Sequence, residues 1–198
     1  MAAPVVRIGG VEVGRGRPLA LIAGPCVIES EELVLEVAGR VSELAHELGL
    51  PFVFKSSYIK DNRSSPGSPA GPGLEDGLRA LERVKSELGV PVLSDVHERG
   101  EVEAAAEVLD ALQIPAFLCR QTRLLEEAAR TGLPVNIKKG QFMAPGDMGG
   151  VVAKAEAAGG GGVLLTERGS SFGYNNLVVD MRSFRVMRDF GCPVVFDA

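Results

Sequence analysis

The stretch Gly49-Leu50-Pro51-Phe52-Val53-Phe54-Lys55-Ser56-Ser57 carries the reading of the fold. A glycine at such a point takes the left-handed conformation that ends a helix, and the proline after it blocks continuation. An apolar run follows, and then a cation and two hydroxyls. The same punctuation returns as Gly89-Val90-Pro91 before Val92-Leu93, as Gly132-Leu133-Pro134 before Val135-Asn136-Ile137, and as Gly191-Cys192-Pro193 before Val194-Val195-Phe196. Apolar runs of this kind suit parallel strands covered on both faces.

Outward from each glycine, the preceding residues have helical periodicity. Leu33, Val37, Val41, Leu44 and Leu48 fall on one face, and so do Leu74, Leu78, Leu81, Val84 and Leu88. Ser30 is placed to cap the first helix, with Glu31 and Glu32 at its positive end. Leu19 to Ala23 begins the strand series, and Ala111 to Pro115 and Val163-Leu164-Leu165 fill its gaps. The sum is seven strands alternating with six helices, the pattern of a parallel α/β fold. The first strand-to-helix turn, Gly24-Pro25-Cys26-Val27-Ile28-Glu29-Ser30, fits neither a dinucleotide fingerprint nor a P-loop. A (β/α)8 TIM barrel is therefore expected, as one domain over residues 1–198. Val5 to Ile8 and Val11 to Val13 flank Gly9-Gly10 and predict a small hairpin plugging the barrel floor.

Composition narrows the function. The 198 residues carry 21 Lys and Arg against 26 Asp and Glu, a net charge of -5, with no Trp. An acidic, aromatic-poor chain argues against nucleic-acid binding. The longest apolar run, Pro18 to Ile28, is broken by Gly24 and Pro25 and is too short to cross a bilayer, so a cytoplasmic setting is the default. Three scattered cysteines (Cys26, Cys119 and Cys192) make no disulfide framework.

In such a barrel the chemistry sits where strands end. Lys55, Lys60, Arg63, Lys138, Lys139 and Arg168 follow three strand ends in an acidic protein, which predicts a concentrated anion site for phosphate or carboxylate. Side chains alternate along a strand, so only one of Lys138 and Lys139 faces the lumen, and alternation does not choose. Asp95 and His97 share one side of their strand as acid–base or orienting groups. Gly67, Gly71 and Gly73 mark a loop near the mouth, and Gly159 to Gly162 a tight helix-to-strand turn.

Five strings, in order along the whole chain, resemble the 3-deoxy-D-manno-octulosonate 8-phosphate synthase family. They are Ile22 to Ser30, Phe54 to Ser65, Gln113 to Thr122, Asn136 to Phe142 and Leu165 to Gly169. The resemblance implies an eight-stranded barrel, a homotetramer, and condensation of phosphoenolpyruvate with arabinose 5-phosphate, with release of phosphate, in lipopolysaccharide precursor synthesis. By position, Lys138 and Arg168 would bind the phosphate of phosphoenolpyruvate. Lys55, Ser57, Lys60 and Gln113 would surround its carboxylate and reacting carbons. Asn62, Arg63 and Ser64 would hold the sugar phosphate, Arg120 would reach in from a neighbouring subunit, and Asp95 would lie near the aldehyde. Lys60, Asp95 and Asn62 are the candidate catalytic residues.

Cys26, at the end of strand one, resembles the metal-dependent members, whose divalent ion (zinc, iron, manganese or similar) takes further ligands from a His, a Glu and an Asp beyond strand seven. The sequence given ends at Phe196-Asp197-Ala198, so those ligands, the last βα unit and barrel closure are expected to be missing. Asp61 replaces the Ala common in the family and would slightly weaken an anion site unless it points away. The nearest rival is the sister enzyme using erythrose 4-phosphate, 3-deoxy-D-arabino-heptulosonate 7-phosphate synthase. Its second strand characteristically carries Lys-Pro-Arg, where this chain has Lys55-Ser56-Ser57. A phosphate-binding fragment without turnover is the alternative of a different class.

Overall fold

A computed structural model of the chain describes residues 5–63, 65 and 67–198. Ser64, the expected sugar-phosphate ligand, lies outside the described residues. The chain opens with a hairpin, β1 (Val5–Ile8) and β2 (Val11–Gly14), and continues into β3 (Leu21–Ala23) and α1 (Glu31–Glu47). Then come β4 (Phe52–Lys55), α2 (Leu74–Leu88), β5 (Val92–Asp95), α3 (Val102–Val108), β6 (Ala111–Ile114), α4 (Thr122–Arg130), β7 (Val135–Lys138) and α5 (Met148–Ala158). The chain ends with β8 (Val163–Glu167), a second hairpin of β9 (Ser170–Phe172) and β10 (Asn176–Val178), α6 (Ser183–Arg188) and β11 (Val194–Phe196).

Seven strands form one parallel sheet in the order β11-β8-β7-β6-β5-β4-β3. Each new strand lies beside the last, separated from it by a helix, the singly wound order of a barrel rather than the reversing order of a doubly wound sheet. This is the expected incomplete (β/α)8 barrel. Gly49 (φ 65°), Gly89 (φ 66°), Gly132 (φ 80°) and Gly191 (φ 82°) all take the left-handed conformation assigned to the repeated punctuation.

The alternating strand residues divide the core in two. Phe52, Phe54, Val92, Leu112, Ile114, Val135, Ile137 and Leu165 face the helices and build the larger cluster. Val53, Leu93, Ala111 and Leu164 face inward, joined at the edges by Ile22 and Val195. Val6, Ile8 and Val11 of the first hairpin fill this inner cluster, with Ile8 fully buried. The hairpin therefore does plug the floor, below the starts of the strands, and the inward residues above it are left to line the mouth.

One sequence expectation is corrected and one element is added. The buried face of α1 is Val34, Ala38 and Ala45, whereas Leu33, Leu44 and Leu48 are exposed. Small residues let the helix axis approach the sheet, and the leucine stripe sits on the flank of that contact rather than in it. The hairpin β9–β10, with Asn175 at positive φ in its turn, was not foreseen. The turn-forming run Gly173-Tyr174-Asn175-Asn176 before Leu177-Val178-Val179 is its partial signal, weakened because the preceding run, Ser170-Ser171-Phe172, is mostly polar.

Candidate active site

Strand register positions the site. Asp95 of β5 pairs with Gln113 of β6, and Gln113 pairs with Asn136 of β7. All three point inward at one level above the apolar floor, and all are buried. Lys55 and Lys138, the last residues of β4 and β7, lie at the rim.

Asp95 is the centre of the first cation pair. Its Oδ2 accepts from Lys60 Nζ at 2.9 Å and from Ser57 Oγ at 3.0 Å, while Oδ1 accepts from Gln113 Nε2. Lys55 Nζ lies 3.5 Å from Oδ1 and donates to Ser57 Oγ at 2.8 Å. Burial alone would raise the Asp95 carboxyl, but the Lys55 and Lys60 ammoniums hold it well below the usual carboxylate range. Burial pushes Lys55 down to about 8, opposed by Asp95 and reinforced by Lys60 and Lys138.

A second carboxylate holds the other pair. Lys138 Nζ donates to Asp197 Oδ2 at 2.9 Å, and Arg168 Nε lies 3.7 Å from the same oxygen. Four cations thus converge on two carboxylates at the C-terminal ends of parallel strands, an excess of two positive charges. Such a mouth suits a doubly charged anion with a tetrahedral or planar oxygen array.

The structure also decides between the two lysines. Lys139 is fully buried on the far side of its strand, where it donates to Gly169 O at 2.8 Å and Ser170 Oγ at 3.2 Å and pairs with Glu167 at 3.4 Å. It braces the loop into the second hairpin, so it drops out of the six-cation anion site. His97 is corrected too. Strand β5 ends at Asp95, and the His97 ring meets the Tyr58 ring edge to face at 6.4 Å. Tyr58 is buried in the outer core, its hydroxyl donating to Glu101, so His97 belongs to that packing and not to the lumen.

Other candidates lie at the periphery. Asn62 is exposed, and Arg63 Nε donates to Pro69 O of its own loop at 2.9 Å. Asp61 is exposed, and no described ion pair joins it to the site. Arg120 is on the exterior, lining a cleft with Phe142, Met143, Asp147 and Lys154. Cys26 is exposed in the loop after β3. Among the described residues no three His, Cys, Asp or Glu side chains gather as metal ligands, so the described residues do not by themselves make a metal site around Cys26. Sequence reasoning missed Asp197, whose inward position follows from alternation with Val195. It also gave no role to Asn136 and Thr166, which lie in the family-like strings at the ends of β7 and β8.

The DAHP synthetase I family model matches residues 3–198. A protein of Trichlorobacter lovleyi named 2-dehydro-3-deoxyphosphooctonate aldolase is 62% identical over 191 residues, covering 96% of this chain and 70% of its own. Proteins of the same name from Geobacter metallireducens and Alkalilimnicola ehrlichii are each 60% identical. They cover 98% and 96% of this chain, and 71% and 68% of their own.

Proposed function

Because this chain belongs to the DAHP synthetase I family, we propose that it condenses phosphoenolpyruvate with D-arabinose 5-phosphate and water, giving 3-deoxy-D-manno-octulosonate 8-phosphate and phosphate. The observation that carries the proposal is the pairing of Lys55 and Lys60 on Asp95 beside Lys138 and Arg168 on Asp197. Phosphoenolpyruvate is a phosphate and a carboxylate on a three-carbon frame, and two adjacent cation pairs match its two anionic ends. The relatives are named 2-dehydro-3-deoxyphosphooctonate aldolase, after an eight-carbon acid, which favours this branch over the seven-carbon one.

In the reaction the enol double bond supplies the electron pair for the new carbon–carbon bond to the aldehyde carbon. The aldehyde oxygen takes up a proton, water adds at the former enol carbon, and phosphate leaves. Lys138 and Arg168 bind the phosphate. Lys55, Ser57, Lys60 and Gln113 hold the carboxylate and the reacting carbons. Asp95 fixes Lys55 and Lys60 and faces the aldehyde, with Lys60 as the nearest proton donor. Asn62 and Arg63, on the loop after β4, take the sugar phosphate together with Ser64.

Three further parts belong to the same proposal. Cys26 would ligate a divalent metal ion, supported by its exposed thiol following the first barrel strand; such an ion would supply Lewis acidity. A homotetramer would bring Arg120 to a neighbouring site, supported by its exterior position near exposed Phe117 and Phe142. A cytoplasmic setting follows from phosphorylated substrates, and no helix of the described residues is long and apolar enough to cross a membrane.

Phosphate release from phosphoenolpyruvate, with arabinose 5-phosphate and erythrose 4-phosphate as alternative acceptors, tests the assignment. Release with the pentose phosphate alone supports it; preference for the tetrose phosphate moves the chain to the sister activity. Sedimentation velocity tests the tetramer.

A further inference from the structure

A line of buried hydrogen bonds runs across the barrel beneath the cations. Thr166 Oγ1 donates to Asn136 Oδ1 at 2.7 Å, Asn136 Nδ2 donates to Gln113 Oε1 at 3.0 Å, and Gln113 Nε2 donates to Asp95 Oδ1. It crosses four strands, and its members are at most 4% exposed.

The line has only one possible direction. Asp95, between Lys55 and Lys60, is an ionised carboxylate that can only accept. Gln113 must therefore turn its NH2 toward Asp95 and its carbonyl toward Asn136. Asn136 must in turn offer its NH2 to Gln113 and its carbonyl to β8. There a hydroxyl is required, because a carbonyl facing a methyl group would be buried without a donor. Thr166 supplies it. The line uses one N–H of each amide. The reversed arrangement would turn the Gln113 carbonyl toward a carboxylate.

We infer that Thr166 and Asn136 are positioning residues for the condensation: acting through Gln113, they hold its amide and the Asp95 carboxylate in the one orientation that serves the reacting groups. This rests on the function proposed above, since it assigns Asp95 and Gln113 to the reacting end of the site. Neither residue touches substrate in this role. Their work is to remove the alternative amide orientation, which costs nothing at the moment of reaction once it is built into the fold.

The test uses Thr166→Val, which keeps the shape and removes the donor, and Thr166→Ser, which keeps the donor. With Thr166→Val, kcat is expected to fall about tenfold while KM for either substrate changes less than about twofold, the scale of one buried hydrogen bond. Thr166→Ser should retain the wild-type kcat. A Val variant with wild-type kcat, or a Ser variant as impaired as the Val variant, overturns the inference. A second readout does not depend on turnover. The Gln113 side-chain amide protons, followed by nuclear magnetic resonance in the wild-type protein, should exchange with solvent at least about tenfold more slowly than those of an exposed glutamine, and Thr166→Val should remove that protection. A Gln113 amide exchanging at the free rate in the wild type shows that the line does not exist. If the protection is present but the wild type does not condense the two substrates, the proposed function fails and the hydrogen-bonded line stands.

Discussion

Asp197 Oδ2 accepts from the Lys138 ammonium at 2.9 Å and lies 3.7 Å from Arg168 Nε. A carboxylate oxygen of the protein therefore occupies space between the two cations assigned to the substrate phosphate. An incoming phosphate must share these cations with Asp197 or turn it aside. Replacing the carboxylate by an amide removes a unit charge at contact distance, worth about 1 kcal/mol where solvent reaches the pair. Asp197→Asn should thus bind inorganic phosphate about three- to tenfold more tightly by titration calorimetry. Unchanged or weaker binding would mean that Asp197 orients the cations and does not compete for them.

The Lys55 ammonium sets a pH dependence. Its pKa of about 8 means that its charge is lost as pH rises through that value. Capture of an anionic substrate by free enzyme weakens accordingly, so kcat/KM for phosphoenolpyruvate should fall above about pH 8. Lys55→Arg should be less active but flat over the same range. Stability moves the other way. Between about 8 and 10.5 the unfolded chain holds a proton that the native Lys55 has released, so Lys55's contribution to stability rises with pH across that window. A wild-type kcat/KM that stays level to pH 9 would remove Lys55 from substrate capture.

Asp95 and His97 separate by role although they sit two residues apart in sequence. Asp95→Asn leaves Lys55 and Lys60 without their shared anion, and kcat should drop by at least about a hundredfold. His97→Ala loses a ring contact outside the lumen and should keep kcat within about twofold. Steady-state kinetics on the two variants checks both, and a large loss from His97→Ala would return that side chain to the site.

Gly77 tests the packing under the loop after β4. A Cβ there would overlap Tyr58 Cβ and lie 3.0 Å from Tyr58 Cα. Alanine gains about 1 kcal/mol in helix propensity, but overpacking a closed contact costs about 1–3 kcal/mol. The contact is to backbone as well as side chain and cannot rotate away, so the cost wins. Gly77→Ala should lower stability in urea unfolding by about 1 kcal/mol, while Gly39→Ala in α1, where a Cβ meets nothing within 4 Å, should stabilise.

If Cys26 ligates a metal, Cys26→Ser should lower metal content and turnover together, and a chelator should do the same to the wild type. Cys119 and Cys192 are buried, with burial pushing the Cys192 thiol up to about 11, and serine at either should leave metal content unchanged. Full turnover in chelator assigns the chain to metal-independent chemistry.

The barrel was legible because its signals are local. The glycine that ends each helix, the proline after it and the apolar run beyond are set by backbone sterics within a few residues, and they recur. The cations at the strand ends were legible for the same reason. The sequence was ambiguous where two answers have equal local merit. Periodicity found α1 but not which part of its apolar sector faces the sheet, because the approach of a neighbouring layer chose Ala38 and Ala45 over Leu44 and Leu48. Alternation put Lys138 and Lys139 on opposite sides without naming them.

Sequence by itself therefore determined the strand series, the mouth and the pool of cations available to it, since these depend on residue type and spacing along one chain. Tertiary structure alone decided which charges meet. Lys55 and Lys60 find Asp95 across the β4–β5 neighbourhood, Lys138 finds Asp197 from β7 to the residue after β11, and Thr166, Asn136 and Gln113 join into one directed line. Those partners lie tens of residues apart, and only the register and curl of the parallel sheet bring their side chains within hydrogen-bonding distance.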